Sequence, residues 1–122
     1  MTSNALCWIE DSIIPAHQAS VSVFDHGLLY GDGVFEGLRF YHGTTFMLEA
    51  HLERLQQSAE AIGLVLPRSR QQITAAIESL IEAYPADSGY LRLVVTRGPG
   101  SLGIDPRSCS RPVMFIIADE LR

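Results

Sequence analysis

Leu48, Leu52, Leu55, Ala59 and Ile62 recur at intervals of 4, 3, 4 and 3, the stripe of an amphipathic helix. Gly63 follows as a C-terminal stop. A second stripe, Ile73, Ile77, Leu80, Ile81 and Tyr84, predicts another helix, opened by Ser69 and Gln72 as a capping box and broken by residues 85–89. Elsewhere the pattern is that of strands. Residues 6–10 are a short strand candidate, Ile13 and Ile14 a second before Pro15, and residues 34–41, 90–96 and 112–118 read as three longer ones. His42-Gly43-Thr44 predicts a tight hairpin turn into Thr45, Phe46 and Met47, which makes the strand from Val34 antiparallel to its successor. Residues 16–24 alternate loosely, with Val21 and Val23 expected to face inward. The predicted architecture is α+β, an antiparallel sheet with two helices packed on one face.

Strand alternation then sorts the polar residues. Phe35, Gly37, Arg39 and Tyr41 share one side, and Val34, Glu36, Leu38 and Phe40 the other. An arginine beside a bare glycine and two aromatics describes a floor for an anion with an apolar tail. The plainer alternative is a turn at Gly27, Gly31 and Gly33, with the strand arginine paired to Glu36 or Asp32. Likewise Tyr90, Arg92, Val94 and Thr96 share a face, and Tyr90 and Arg92 can either meet one ligand carboxylate or pack locally. Arg54 sits on a shoulder of the first helix stripe. There it can reach a phosphate along the sheet edge or pair in solvent with Glu49, Glu53 or Glu60. The loop between the last two strands, RGPGSLGIDPRSCS, is either a mobile connection or a segment whose backbone amides approach a ligand at Gly98, Gly100 and Gly103.

Composition narrows the classes. The 122 residues amount to one domain, 47% hydrophobic and 19% charged, ordinary for a folded globular chain. A net charge of −5 with no basic stripe argues against a nucleic-acid partner. The apolar runs are too short to span a bilayer, and the N-terminus lacks the basic-then-apolar order of a secretory signal. Cys7 and Cys109 are too few and isolated for a disulfide scaffold or zinc site, so free thiols in a reducing cytoplasm are expected. His17, His26, His42 and His51 have no metal-site spacing and read as surface, turn or hydrogen-bonding residues. All nine cationic residues are arginine. Chemistry that proceeds through a lysine Schiff base is therefore beyond this sequence by itself.

The run D-H-G-x-x-Y-G-D-G-V-F-E-G-L-R, beginning at Asp25, resembles the N-terminal signature of the class IV (fold type IV) aminotransferases, which use pyridoxal 5′-phosphate (PLP), and E-G-L-R resembles the branched-chain members most. The likeness extends over residues 8–119 and stops where that family's second, lysine-bearing domain would begin. The resemblance implies that residues 1–122 are the N-terminal small domain of such an enzyme, with the Schiff-base lysine in the second domain, so that this chain by itself cannot hold PLP covalently or carry out a complete transamination. It implies that Arg54, in the HLERL run of residues 51–55, binds the cofactor phosphate. It places Tyr30, Phe35, Gly37, Arg39, Tyr90 and Arg92 around the substrate, and Ile104 at a pocket across a homodimer. Together these side chains are expected to converge on a cavity that a partner domain closes. The implied reaction is amino transfer between a branched-chain L-amino acid and 2-oxoglutarate. The D-amino-acid members carry a further arginine and histidine in the loop, and residues 101–105 have neither. Two alternatives remain open: an aminodeoxychorismate lyase of the same family, and a non-catalytic module that binds a small anion or another subunit.

Overall fold

Two helical stripes and a set of alternating strands can bury their apolar sides only against each other, and a computed structural model, describing residues 3–121, shows them doing so. The strands are β1 (Leu6–Ile9), β2 (Ser12–Pro15), β3 (Gly33–Tyr41), β4 (Thr44–Thr45), β5 (Gly89–Thr96) and β6 (Val113–Asp119). They form one antiparallel sheet in the order β2-β1-β6-β5-β3-β4. The helices α2 (Leu48–Ala61) and α3 (Arg70–Ala83) cover one face. Trp8, Leu38, Phe40, Leu91, Leu93, Val95, Met114, Ile116 and Ala118 come up from the sheet. They meet Leu52, Leu55, Ala59, Ile73, Ile77 and Leu80 from the helices. Removing one fully enclosed side chain here, such as Leu55 or Leu93, costs about 2–5 kcal/mol of stability.

The predicted local signals are present. Ser69 and Gln72 form the reciprocal capping box that opens α3. Gly63, just past α2, has φ +66°. His42 and Gly43 both have positive φ and join Tyr41 to its partner Thr44, the two-residue turn that suits a twisted hairpin.

Two expectations fail. The glycine-punctuated segment before β3 is not a plain turn but a short helix, α1 (His26–Tyr30). The Asp25 carboxylate accepts from the Gly27 and Leu28 amides at its start, and Gly31 closes it in the left-handed conformation (φ +68°). Val21 and Val23 do not face inward. Val23 is 71% exposed, because the segment they occupy crosses the uncovered side of the sheet without pairing as a strand.

Candidate active site

The uncovered face carries the first group of candidates. Register sets Phe35 opposite Val94, Gly37 opposite Arg92 and Arg39 opposite Tyr90, so residues of β3 and β5 sit side by side. The Arg92 guanidinium carbon lies 5.0 Å from the Phe35 ring centroid and 5.6 Å from that of Tyr90. Its Nε and Nη2 both donate to the Tyr90 hydroxyl, at 3.2 and 2.9 Å. Phe35 remains 59% exposed. Beside this group, Val21, Leu28, Val34, Phe115 and Arg92 line a cleft of about 360 Å³. The glycine floor is not bare: the Tyr90 phenol covers Gly37, and a Cβ there would touch its hydroxyl.

Arg39 lies further along the same face. Its Nη1 donates to the Tyr41 hydroxyl at 3.4 Å, and it borders a separate depression with Tyr90, Asp119 and Leu121. It pairs with neither Glu36 nor Asp32, so the plainer alternative of a local ion pair does not hold. Glu36 is three residues away on the opposite side of β3, and Asp32 is engaged by Arg97, whose Nε and Nη2 each donate to it at 3.0 Å.

Arg54 belongs to the other side of the sheet. Glu36, only 4% exposed, stands in a row of otherwise apolar residues beneath α2. Arg54 donates to it through Nε (2.9 Å, to Oε2) and Nη2 (2.7 Å, to Oε1), and His51 Nδ1 donates to Oε1 at 2.7 Å. Burial by itself would push the Glu36 carboxyl up. The hydrogen bonds and charges of Arg54 and His51 outweigh burial and hold it below the ordinary glutamate value. The same contacts raise the Arg54 guanidinium further above its usual value, so it stays charged. The expected solvent partners are otherwise engaged: Glu49 and Glu53 with Arg70, and Glu60 with Gln56.

The loop after β5 forms the third group. It is pinned to α1 and the residue pair before it by four hydrogen bonds: His26 N–H to the Gly98 carbonyl, Gly100 N–H to the Phe24 carbonyl, His26 Nε2–H to the Ser101 carbonyl (2.8 Å) and Gly103 N–H to the Tyr30 hydroxyl (2.6 Å). His26 is fully buried with its ring against that of Tyr30, and among the described residues its Nδ1 has no hydrogen-bond partner. Ile104 is 78% exposed at the loop's outer side. Tyr30 therefore holds the loop. Arg97 anchors the loop's start, its Nη1 and Nη2 also donating to the Gly63 and Ile62 carbonyls at the end of α2.

The candidates thus divide between surfaces. Phe35, Gly37, Tyr90 and Arg92 come together, with Arg39 further along the same face, while Tyr30 is placed with the loop after β5. Arg54 does not share their cavity within this chain, because alternation along β3 turns its anchor Glu36 to the helix side. His51, Glu36, His26, Asp32 and Arg97 were not singled out as site residues by sequence reasoning. One signal for Glu36 was available, a carboxylate on the apolar row of a strand, which demands a cation to pair with it.

A family model for amino-transferase class IV matches residues 33–122. The chain belongs to that family. It is 44% identical over 111 residues to a putative branched-chain-amino-acid aminotransferase of Methanocaldococcus jannaschii, covering 91% of this chain and 38% of the relative. It is also 37% identical over 90 residues to a D-alanine aminotransferase of Listeria innocua, covering 74% and 31%. Among solved structures it resembles a T.th. branched-chain amino acid aminotransferase complexed with N-(5′-phosphopyridoxyl)-L-glutamate. The TM-score is 0.87 at 29% identity, over 95% of this chain and 40% of that one. The branched-chain enzyme of Escherichia coli gives the same TM-score at 27% identity. The class IV fold is therefore present, in a chain that spans about two fifths of the length of these relatives.

Proposed function

We propose that this chain is the small N-terminal domain of a PLP-dependent aminotransferase of branched-chain type. The observation that carries this reading is the uncovered sheet face, where Arg92 lies against the exposed Phe35 beside an apolar cleft. A cation on an apolar wall suits a substrate with a carboxylate at one end and an aliphatic side chain at the other. A second, lysine-bearing domain would cover that wall.

The residues present also fit the cofactor's phosphate. Arg54 is a permanent cation, its side chain is 64% exposed, and among the described residues nothing engages its Nη1. A guanidinium with an open pair of donors matches a phosphate dianion. When bound, PLP supplies the electron sink that amino-group transfer needs. This chain's own residues bind and orient: Arg54 takes the phosphate, while Arg92 and Tyr90 meet a substrate carboxylate. Phe35 shields that contact from water. Tyr30 and the loop it holds set one wall, with Arg39 and Ile104 toward its rim, the latter facing a second copy in a homodimer.

The test assays the whole polypeptide that carries this chain, supplied with PLP. Amino transfer from L-leucine to 2-oxoglutarate, with little from D-alanine and no pyruvate release from aminodeoxychorismate, is the expected result. Preferential use of D-alanine, or pyruvate elimination, would replace the branched-chain assignment. No PLP binding at all would favour a non-catalytic module.

A further inference from the structure

Glu36 is out of place by its row. Its neighbours on that side of β3, Val34, Leu38 and Phe40, all pack into the core, yet position 36 carries a carboxylate with almost no access to water. A buried charge of this kind is tolerated only when it is fully paired. Here both oxygens are engaged, Oε2 by Arg54 Nε and Oε1 by Arg54 Nη2 and His51 Nδ1.

The edge of the guanidinium that is used matters. Arg54 meets Glu36 side-on, through Nε and Nη2. Because the group is planar with its donors in a fixed fork, that choice directs the end formed by Nη1 and the second Nη2 hydrogen away from the carboxylate. His51 lies one helical turn before Arg54, on the same side of α2, and its bond to Oε1 keeps the carboxylate from turning out of the fork's plane.

We propose that Glu36 is a positioning residue for phosphate binding: it acts through Arg54 to present the outer edge of the guanidinium to the cofactor phosphate. This rests on the reading of Arg54 as the phosphate cation. Two opposed effects are at stake. The carboxylate orders a long side chain before the phosphate arrives, which favours binding. It also places a negative charge behind the cation, which disfavours binding. The proposal holds that ordering wins, because Glu36 lies on the buried side of Arg54 while the free donors lie on the exposed side.

The sign of the effect provides the test. Apo forms of the whole polypeptide are titrated with PLP and with pyridoxal, which lacks the phosphate. Arg54→Ala should weaken PLP at least tenfold and leave pyridoxal unchanged. If it leaves PLP unchanged, the phosphate reading of Arg54 fails before Glu36 is considered. Glu36→Gln turns an amide N–H₂ toward the guanidinium and breaks the two-point contact. It should weaken PLP roughly five- to tenfold, of the order of one charge-assisted hydrogen bond, again without moving pyridoxal. Unchanged or tighter PLP binding by Glu36→Gln, with the Arg54→Ala loss intact, overturns the positioning role. If the glutamine variant does not fold, Glu36→Asp keeps the charge but withdraws it by one methylene. That variant must show the same selective loss of PLP over pyridoxal, or the proposal falls.

Discussion

The phenol of Tyr90 lies across Gly37, its diagonal neighbour on the adjacent strand, so closely that a methyl group at position 37 would collide with the ring and hydroxyl. The hydroxyl held there is the acceptor for two Arg92 donors. Gly37→Ala is therefore expected to displace Tyr90 and free Arg92, at a stability cost of about 1–2 kcal/mol. Urea unfolding of Gly37→Ala, Tyr90→Ala and the double variant checks this. The double variant should be more stable than the sum of the single losses predicts, because removing the ring removes the collision. Simple additivity would show that the close approach carries no energy.

Arg97 joins three parts of the chain: it pairs with Asp32 before β3, caps the carbonyls of Ile62 and Gly63 at the end of α2, and starts the loop after β5. Its side chain and that of Asp32 are mostly sheltered. Arg97→Lys keeps the charge but cannot make four contacts in that fork geometry, and a loss of about 2–3 kcal/mol is expected in chemical denaturation. A loss within experimental error would show the network to be redundant.

What the sequence discloses follows from how many residues report on each feature. Both long helices were visible because five apolar positions apiece keep the 3.6-residue period, and the capping box at Ser69 marks a boundary by chemistry rather than by average. Helix α1 has only five residues, too few for a period to show, and depends on Asp25 and Gly31 at its ends. Val21 and Val23 alternate as a strand would, but among the described residues their segment joins no strand of the sheet. The side assignments on β3 and β5 held, since alternation is geometric. The partner of Arg54 escaped notice because it comes from a strand, while sequence spacing brings to mind only carboxylates on the same helix.

Tyr30 is placed to report on the loop. Its hydroxyl accepts the Gly103 N–H at 2.6 Å, while its ring rests against His26, which holds Ser101. Tyr30→Phe keeps the ring contact and removes only the acceptor. Hydrogen exchange at the Gly103 amide should accelerate about three- to tenfold, the equivalent of roughly 0.5–1.5 kcal/mol of local opening. The amides of α2 and α3 should be unaffected. Equal acceleration throughout the chain would mean that the hydroxyl supports the fold and not the loop.

Glu36 also makes a prediction about acid. Its carboxyl is held below the ordinary glutamate value of 4.5, because Arg54 and His51 outweigh the effect of burial. A group depressed in the folded state binds its proton more readily when unfolded, so stability falls as pH drops. The contribution is fully present above the unfolded value and is lost as pH descends through the folded one. Glu36→Gln has no proton to take up at this position. The stability difference between the parent and this variant, measured by urea unfolding, should shrink as pH falls below about 4.5. Asp105, which Arg107 likewise depresses, titrates in both proteins and cancels from the comparison. A difference independent of pH down to about 3 would mean that Arg54 and His51 do not stabilise the charged form of Glu36.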